Sequence, residues 1–156
     1  MQNITYKKRW KGKVLGELLN FLREQHTDGV SIRAVANVLG TTPQCVSAMF
    51  VKDDTKLSKV EWIVNKYGYR LSLSYPASDR SDAPVPKQYR TDNNLGGLIK
   101  YVFNEGWKIS NLSVLTHLNL EVLNRAFSTG DIKMSTLFNI TDSLGIDIIW
   151  AFNKIY

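Results

Sequence analysis

The sequence predicts a mainly α protein made of two tandem four-helix units, each ending in a short β-strand. Three observations predict this fold. Apolar residues recur at helical spacing in both halves, an internal repeat relates the halves, and each half ends in an alternating or β-branched segment. In this repeat Phe50 corresponds to Phe127 and Gly68 corresponds to Gly145, both at a spacing of 77 residues. Two copies are too few for a solenoid, so tandem domains are expected.

The distribution of proline marks the boundary between the copies. Three of the four prolines lie in the polar stretch from Pro76 to Asn94, which is typical of a linker. The chain is therefore divided into a basic N-terminal arm over 1–13, a first domain over 14–76, a linker over 77–93 and a second domain over 94–156.

Capping residues and apolar faces define the elements of the first domain. Ser31 can cap the second helix, Gly40 can end it, and Thr42-Pro43 can open the third. Ser58 and Glu61 have capping-box spacing for the fourth helix. The predicted helices and the terminal strand are Val14 to about Gln25, Ile32 to Leu39, Pro43 to about Phe50, Ser58 to Tyr67, and Arg70 to Tyr75.

The second domain has the same predicted order of elements, but the residues that would begin and end its helices are less distinctive. Its second and third helices are joined by a turn that reads as shorter than the first copy's and lacks its glycine. The predicted helices and strand are Leu95 to Asn104, Asn111 to His117, Leu120 to Phe127, Ser135 to Leu144, and Ile146 to Phe152.

The excess positive charge lies in the first half of the chain. Residues 1–78 hold twelve Lys and Arg against six Asp and Glu, a balance of +6, whereas residues 79–156 hold eight of each. The arm supplies a cluster of cations: Lys7, Lys8, Arg9, Lys11 and Lys13. Such a cluster suits contacts with phosphate, and the alternative is a solvated tail that aids solubility.

The segment from Ser31 to Phe50 reads SIRAVANVLGTTPQCVSAMF, two short helices joined by a turn that contains glycine. It resembles the helix-turn-helix domain of phage Cro proteins and repressors, the XRE class of prokaryotic regulators. Residues 57–69 resemble the fourth helix of that family. Residues 112–127 and 134–148 resemble the same pattern more loosely, so the second copy is interpreted as degenerate.

The resemblance implies that the third helix enters the major groove of DNA, where each base pair shows a distinct set of donors and acceptors. Gln44 is the best candidate reader because its amide can make two bonds to an adenine edge. The full set of implied base contacts is Pro43, Gln44, Ser47 and Ala48, with Cys45 on the same face. The implied backbone contacts are Thr42 and Arg33, and the positive charges of Lys52 and of the basic residues of the arm make them further candidates for backbone contacts. The alternative for these side chains is a solvated polar face.

The corresponding helix of the second copy carries candidate DNA contacts at Asn124 and Arg125, but Glu121 brings the wrong sign for phosphate. The alternative role of this copy is pairing with the first copy or with another chain. The segments 69–75 and 146–152 are equivalent and need strand partners. They are expected to form one sheet, either within a chain as an internal pseudo-dimer or between chains of a homodimer.

The predicted function is sequence-specific binding of double-stranded DNA by a transcriptional regulator. The alternative is a protein-protein interaction module, such as an antitoxin-like partner or a phage adaptor. No nucleophile constellation, glycine-rich phosphate loop or zinc spacing is present in the sequence, so no enzyme, cofactor or metal is expected. No apolar run reaches the ~18 residues of a membrane helix, and the expected location is the cytoplasm, at the nucleoid.

Overall fold

The computed structural model describes residues 3–7, 18, 31–52, 54–77 and 84–155. Within these ranges the chain is mostly helical, as predicted, with seven helices and a sheet of three strands. In chain order the elements are β1 (Asn3–Lys7), α1 (Ile32–Leu39), α2 (Pro43–Lys52), α3 (Leu57–Lys66), β2 (Tyr69–Ser74), α4 (Gly96–Asn104), α5 (Ile109–Thr116), α6 (Leu120–Thr129), α7 (Met134–Leu144) and β3 (Ile149–Lys154).

The N-terminal region differs in part from the expectation of a basic arm. Residues 3–7, including Lys7, form β1, a strand that the sequence patterns did not indicate. The other four cations of the arm, Lys8, Arg9, Lys11 and Lys13, lie outside the described residues. So does the predicted first helix apart from Leu18, which is helical and buried.

The predicted caps of α1 and α2 are confirmed. The Ser31 Oγ accepts a hydrogen bond from the Ala34 N–H at 3.1 Å, and Gly40 ends α1 with a φ of 70°, a left-handed conformation that glycine adopts without steric cost. The Thr42 Oγ1 accepts from the Cys45 N–H at 3.2 Å at the start of α2. These contacts satisfy backbone donors that the helix itself leaves unpaired.

The predicted capping box of α3 is wrong. The helix begins at Leu57, one residue before Ser58, and the preceding Lys56 provides no side-chain cap. The cap comes instead from the other half of the chain, because the Asp131 carboxylate accepts from both the N–H and the hydroxyl of Ser58, at 3.0 and 2.8 Å. Local spacing could not reveal a cap supplied from 73 residues away.

The second half repeats the first more closely than its sequence suggested. α5 begins at Ile109, two residues earlier than predicted, and α1, α2 and α3 each begin 77 residues before α5, α6 and α7. The turn between α5 and α6 comprises residues 117–119, so it is as long as the turn over 40–42, and the prediction of a shorter turn is wrong. His117 takes the place of Gly40, with a φ of 57°.

The three strands form an antiparallel sheet in the order β1-β3-β2. β2 and β3 come from the two predicted terminal segments, and they pair within one chain in a register that places Leu73 opposite Trp150. The second of these strands begins at Ile149, so Ile148 lies just before it. β1 covers the other edge of β3, with Thr5 opposite Ala151.

The buried side chains of both halves belong to one hydrophobic cluster. Trp150 is its largest fully buried member, and it lies in the strand that joins the halves. The described part of the predicted linker packs against the second half, since Tyr89 stacks on Phe103 and contacts the edge of Phe127. Asn94 occupies the open edge of β2, where its side chain accepts from the Leu73 N–H and donates to a neighbouring carbonyl.

Candidate nucleic-acid interface

α1 and α2 are two short helices joined by a sharp turn. The two helix axes are bent by 116° across the three-residue turn over 40–42. Helix-turn-helix motifs join their helices at about 90–120° through turns of three or four residues. α1 buries Val35, Ala36 and Leu39, and α2 buries Val46, so the opposite face of each helix is left for solvent.

The predicted base-contacting residues share the outer face of α2. Pro43, Gln44 and Ala48 are exposed, whereas Ser47 is half-buried at the border of the core. Gln44 lies in the first turn of the helix, where a side chain reaches furthest into a groove. The structure therefore presents these side chains together and gives Ser47 the least access.

The surroundings of this face carry positive charge. Arg33 and Lys52 are exposed, and residues 31–52 contain no acidic side chain. Asp54 follows Lys52 by two residues and carries the opposite charge. Its carboxylate accepts from the N–H and the hydroxyl of Ser135, at 3.0 and 2.6 Å, so it is turned toward the start of α7. Asp53 lies outside the described residues.

Cys45 lies on the same exposed face as Gln44. Hydrogen bonds from the hydroxyls of Thr42 and Thr41 lower the pKa of its thiol, and the positive charge of Lys59 acts in the same direction. Among the described residues, none of the groups that shift this pKa is a histidine.

Comparison of the chain with protein-family models, with curated proteins and with solved structures finds no match. Among the described residues there is no group of three or more His, Cys, Asp or Glu side chains arranged to hold a metal ion. In the same residues no single helix is long and apolar enough to cross a membrane, and α1 and α2 reach that length only as a bent pair.

The face of α6 that corresponds to α2 has different chemistry. Glu121 and Arg125 are exposed there, together with Leu120 and Val122. Asn124 was predicted as a candidate contact, but its Oδ1 accepts a hydrogen bond from the Tyr89 hydroxyl at 2.5 Å. The acceptor atom that would help to read an adenine is thus occupied within the protein.

Near the starts of α3 and α7 the two halves cross each other in an antiparallel bridge between Lys56 and Lys133. Two backbone bonds of 2.8 Å flank the bridge, one from the Leu57 N–H to the Ile132 carbonyl and one from the Met134 N–H to the Thr55 carbonyl. The bridge lies between the two reciprocal Asp-Ser caps. The two backbone bonds are therefore equivalent to each other, and so are the two Asp-Ser caps.

Two paired positions define an internal two-fold axis. Lys56 pairs with Lys133, and Leu73 pairs with Trp150; in both pairs the partners are 77 residues apart, the spacing of the repeat. An antiparallel pair of equivalent residues lies on a two-fold axis that relates the copies. Sequence reasoning missed the crossing, although Asp54 and Ser58 recur as Asp131 and Ser135 at the same spacing.

A polar cleft of about 470 Å³ lies beside β2, away from the residues predicted to contact DNA. Glu61, Arg70 and Asp92 are among the residues that line it. Burial raises the pKa of the Glu61 carboxyl, a hydrogen bond from Asn94 opposes this shift, and the negative charge of Asp131 adds to it.

Proposed function

We propose that the protein is a sequence-specific binder of double-stranded DNA and acts as a transcriptional regulator. One observation carries the proposal: a helix pair bent by 116° across a three-residue turn exposes Thr42 at the end of the turn and Gln44 and Ala48 on the second helix. A short helix held in this way fits the major groove, which is wide enough to admit it.

The proposed contacts divide into two classes. Gln44 makes two bonds to an adenine edge, and the methyl group of Ala48 contacts a thymine methyl group. Thr42, Arg33 and Lys52 contact the phosphate backbone and carry no sequence preference themselves. The cations of the segment 1–13 remain predicted backbone contacts.

Selection of bound duplexes from a random pool tests the proposal. The full chain should enrich a defined motif, and Gln44→Ala should relax the preference at one adenine position, at a cost of about 1–3 kcal/mol there. Lys52→Ala is the control, because loss of a phosphate contact weakens all sequences alike. Enrichment of the same motif by Gln44→Ala would mean that Gln44 is a solvated side chain, and failure to enrich any motif would contradict the proposal.

A second candidate function, a protein-protein interaction module, is favoured by one observation. The outer face of α5 and α6 exposes Val114, Leu120 and Val122, and Val114 is 76% exposed. Exposed apolar groups on two helices that contact each other favour a surface that binds another protein. A chain that enriches no duplex but binds a protein through this face would support the second function over the first.

A further inference from the structure

We propose that one chain binds one asymmetric DNA site, with α2 reading a half-site rich in A·T pairs and α6 reading a half-site rich in G·C pairs. This inference rests on the proposed DNA-binding function and adds the architecture of the site and the number of chains that occupy it. The two unlike halves of one chain thereby take the place of the two identical subunits of a symmetric DNA-binding dimer.

An internal two-fold axis relates the two copies. It passes through the Lys56–Lys133 and Leu73–Trp150 pairs, and it relates α1 and α2 to α5 and α6. In helix-turn-helix dimers, two units related by a two-fold axis bind two half-sites about one helical turn apart. The symmetry that two chains usually supply is thus present within one.

The crossing of the two halves is rigid. Four hydrogen bonds join the Asp54 and Asp131 carboxylates to Ser135 and Ser58, with lengths between 2.6 and 3.0 Å. The antiparallel pairing of β2 with β3 adds a second connection on the same axis. The two outer faces are therefore held at one separation, so the placement of α2 in one groove fixes the placement of α6.

The outer faces of α2 and α6 differ in chemistry. At equivalent positions α2 carries Gln44 and Ala48, and α6 carries Glu121 and Arg125. Arg bonds the O6 and N7 of guanine, and Glu accepts from the N4 of cytosine, whereas Gln suits adenine and an alanine methyl suits thymine. The apparent wrong sign of Glu121 is thereby explained, because its carboxylate meets a cytosine amino group.

Each unit also has a candidate contact for the phosphate backbone. Arg33 is exposed on the first turn of α1, and the exposed Lys108 directly precedes α5. Each unit therefore has a cation at the start of its first helix, where helix-turn-helix proteins cross the phosphate backbone. The positive charge of Lys108 therefore gives the α6 unit an attraction for the phosphate backbone.

The test uses the full chain, selection from a random pool, and sedimentation of the selected complex. Two unlike blocks centred about 10 base pairs apart should be enriched, with one chain on each duplex. Arg125→Ala should lower the preference in the G·C block alone, by roughly 5- to 150-fold at one position. Lys154→Ala, which removes one exposed positive charge from β3, is the matched control and should leave both blocks unchanged.

Three results would overturn the inference and leave the DNA-binding function standing. They are a palindromic motif with two chains on each duplex, a single block, or an Arg125→Ala variant that enriches the same two blocks as the parent chain. A chain that enriches no duplex at all would overturn both proposals, so the two failures are distinguishable. Arg125 is exposed, so loss of the fold is not expected to obscure the result.

Discussion

The carboxyl group of Glu61 is half-buried in α3, close enough to Asn94 and Asp131 for both to affect it. Burial is the main cause that raises its pKa. The folded state then binds this proton more tightly than the unfolded state does. The stability gained from the protonated group is fully present below the unfolded pKa and is lost as the pH rises through the folded pKa.

Glu61→Gln should therefore raise the urea midpoint at neutral pH, because the amide carries no charge to bury and none to repel Asp131. The difference from the parent chain should vanish in acid, where Glu61 is itself neutral. Glu121→Gln, at an exposed position, is the control and should give no such gain. A Glu61→Gln chain that is less stable at neutral pH would show that the carboxylate is net favourable.

Single residues were predictable where their role is local. Ser31, Gly40 and Thr42 were found from the sequence, because a cap acts within three residues of its own position. Asn124 was predicted as a DNA contact, but its side chain is bonded to Tyr89, which is 35 residues away. When a polar side chain bonds to a partner that is distant in sequence, its role cannot be predicted from the residues next to it.

Among the elements, α5 is the one that ends against a steric preference. His117 has a φ of 57° at the end of this helix, and left-handed backbone costs a side-chain-bearing residue roughly 1–2 kcal/mol. Gly40 ends the equivalent helix with nearly the same conformation, a φ of 70°. The two copies thus form the same left-handed turn with different residues, Gly40 in the first and His117 in the second.

His117→Gly should stabilise the protein by up to about 1 kcal/mol, since the relief of strain is partly offset by the greater freedom of glycine in the unfolded chain. Urea unfolding measures the change. His117→Ala is the matched variant and should bring no comparable gain, because its Cβ keeps the strain. Equal gains from both variants would mean that the imidazole ring, and not the backbone, is the unfavourable group.

The elements themselves were largely predicted, and their errors have a common cause. The apolar faces that bury Val35, Leu39 and Val46 have helical spacing and were found from the sequence. The start of α3 was misplaced because its cap, Asp131, belongs to the other half. β1 was missed because a short edge strand depends on the neighbour that it pairs with.

At the scale of the whole molecule, the two halves should unfold together because their buried residues form one cluster. Leu73→Ala removes a side chain that is 8% exposed and lies opposite Trp150, at an expected cost of about 2–5 kcal/mol. Native-state hydrogen exchange should show that amides of α1 and α5 lose protection by the same amount.

Lys100→Ala, at an exposed position in α4, is a control that should leave the slowest amides of α1 unchanged. Loss of protection confined to α1 after Leu73→Ala would indicate two independently stable domains. The tandem repeat was visible in the sequence, but the shared core was not, since the repeat shows that two units exist and not how they pack. The alternating pattern from Tyr69 to Ser74 indicated a strand. The equivalence of the two terminal segments indicated that they share a sheet, but not whether the sheet forms within one chain or between two.

The central position of β3 has a consequence for the order of events during synthesis. β1 and β2 emerge from the ribosome long before residues 149–154, yet β3 is the strand to which both of them pair. The edges of β1 and β2 that pair with β3 therefore stay unpaired until the second half has been translated. Such edges can pair wrongly with other chains. Wrong pairing of β1 and β2 is accordingly favoured during the period of synthesis before β3 has been made.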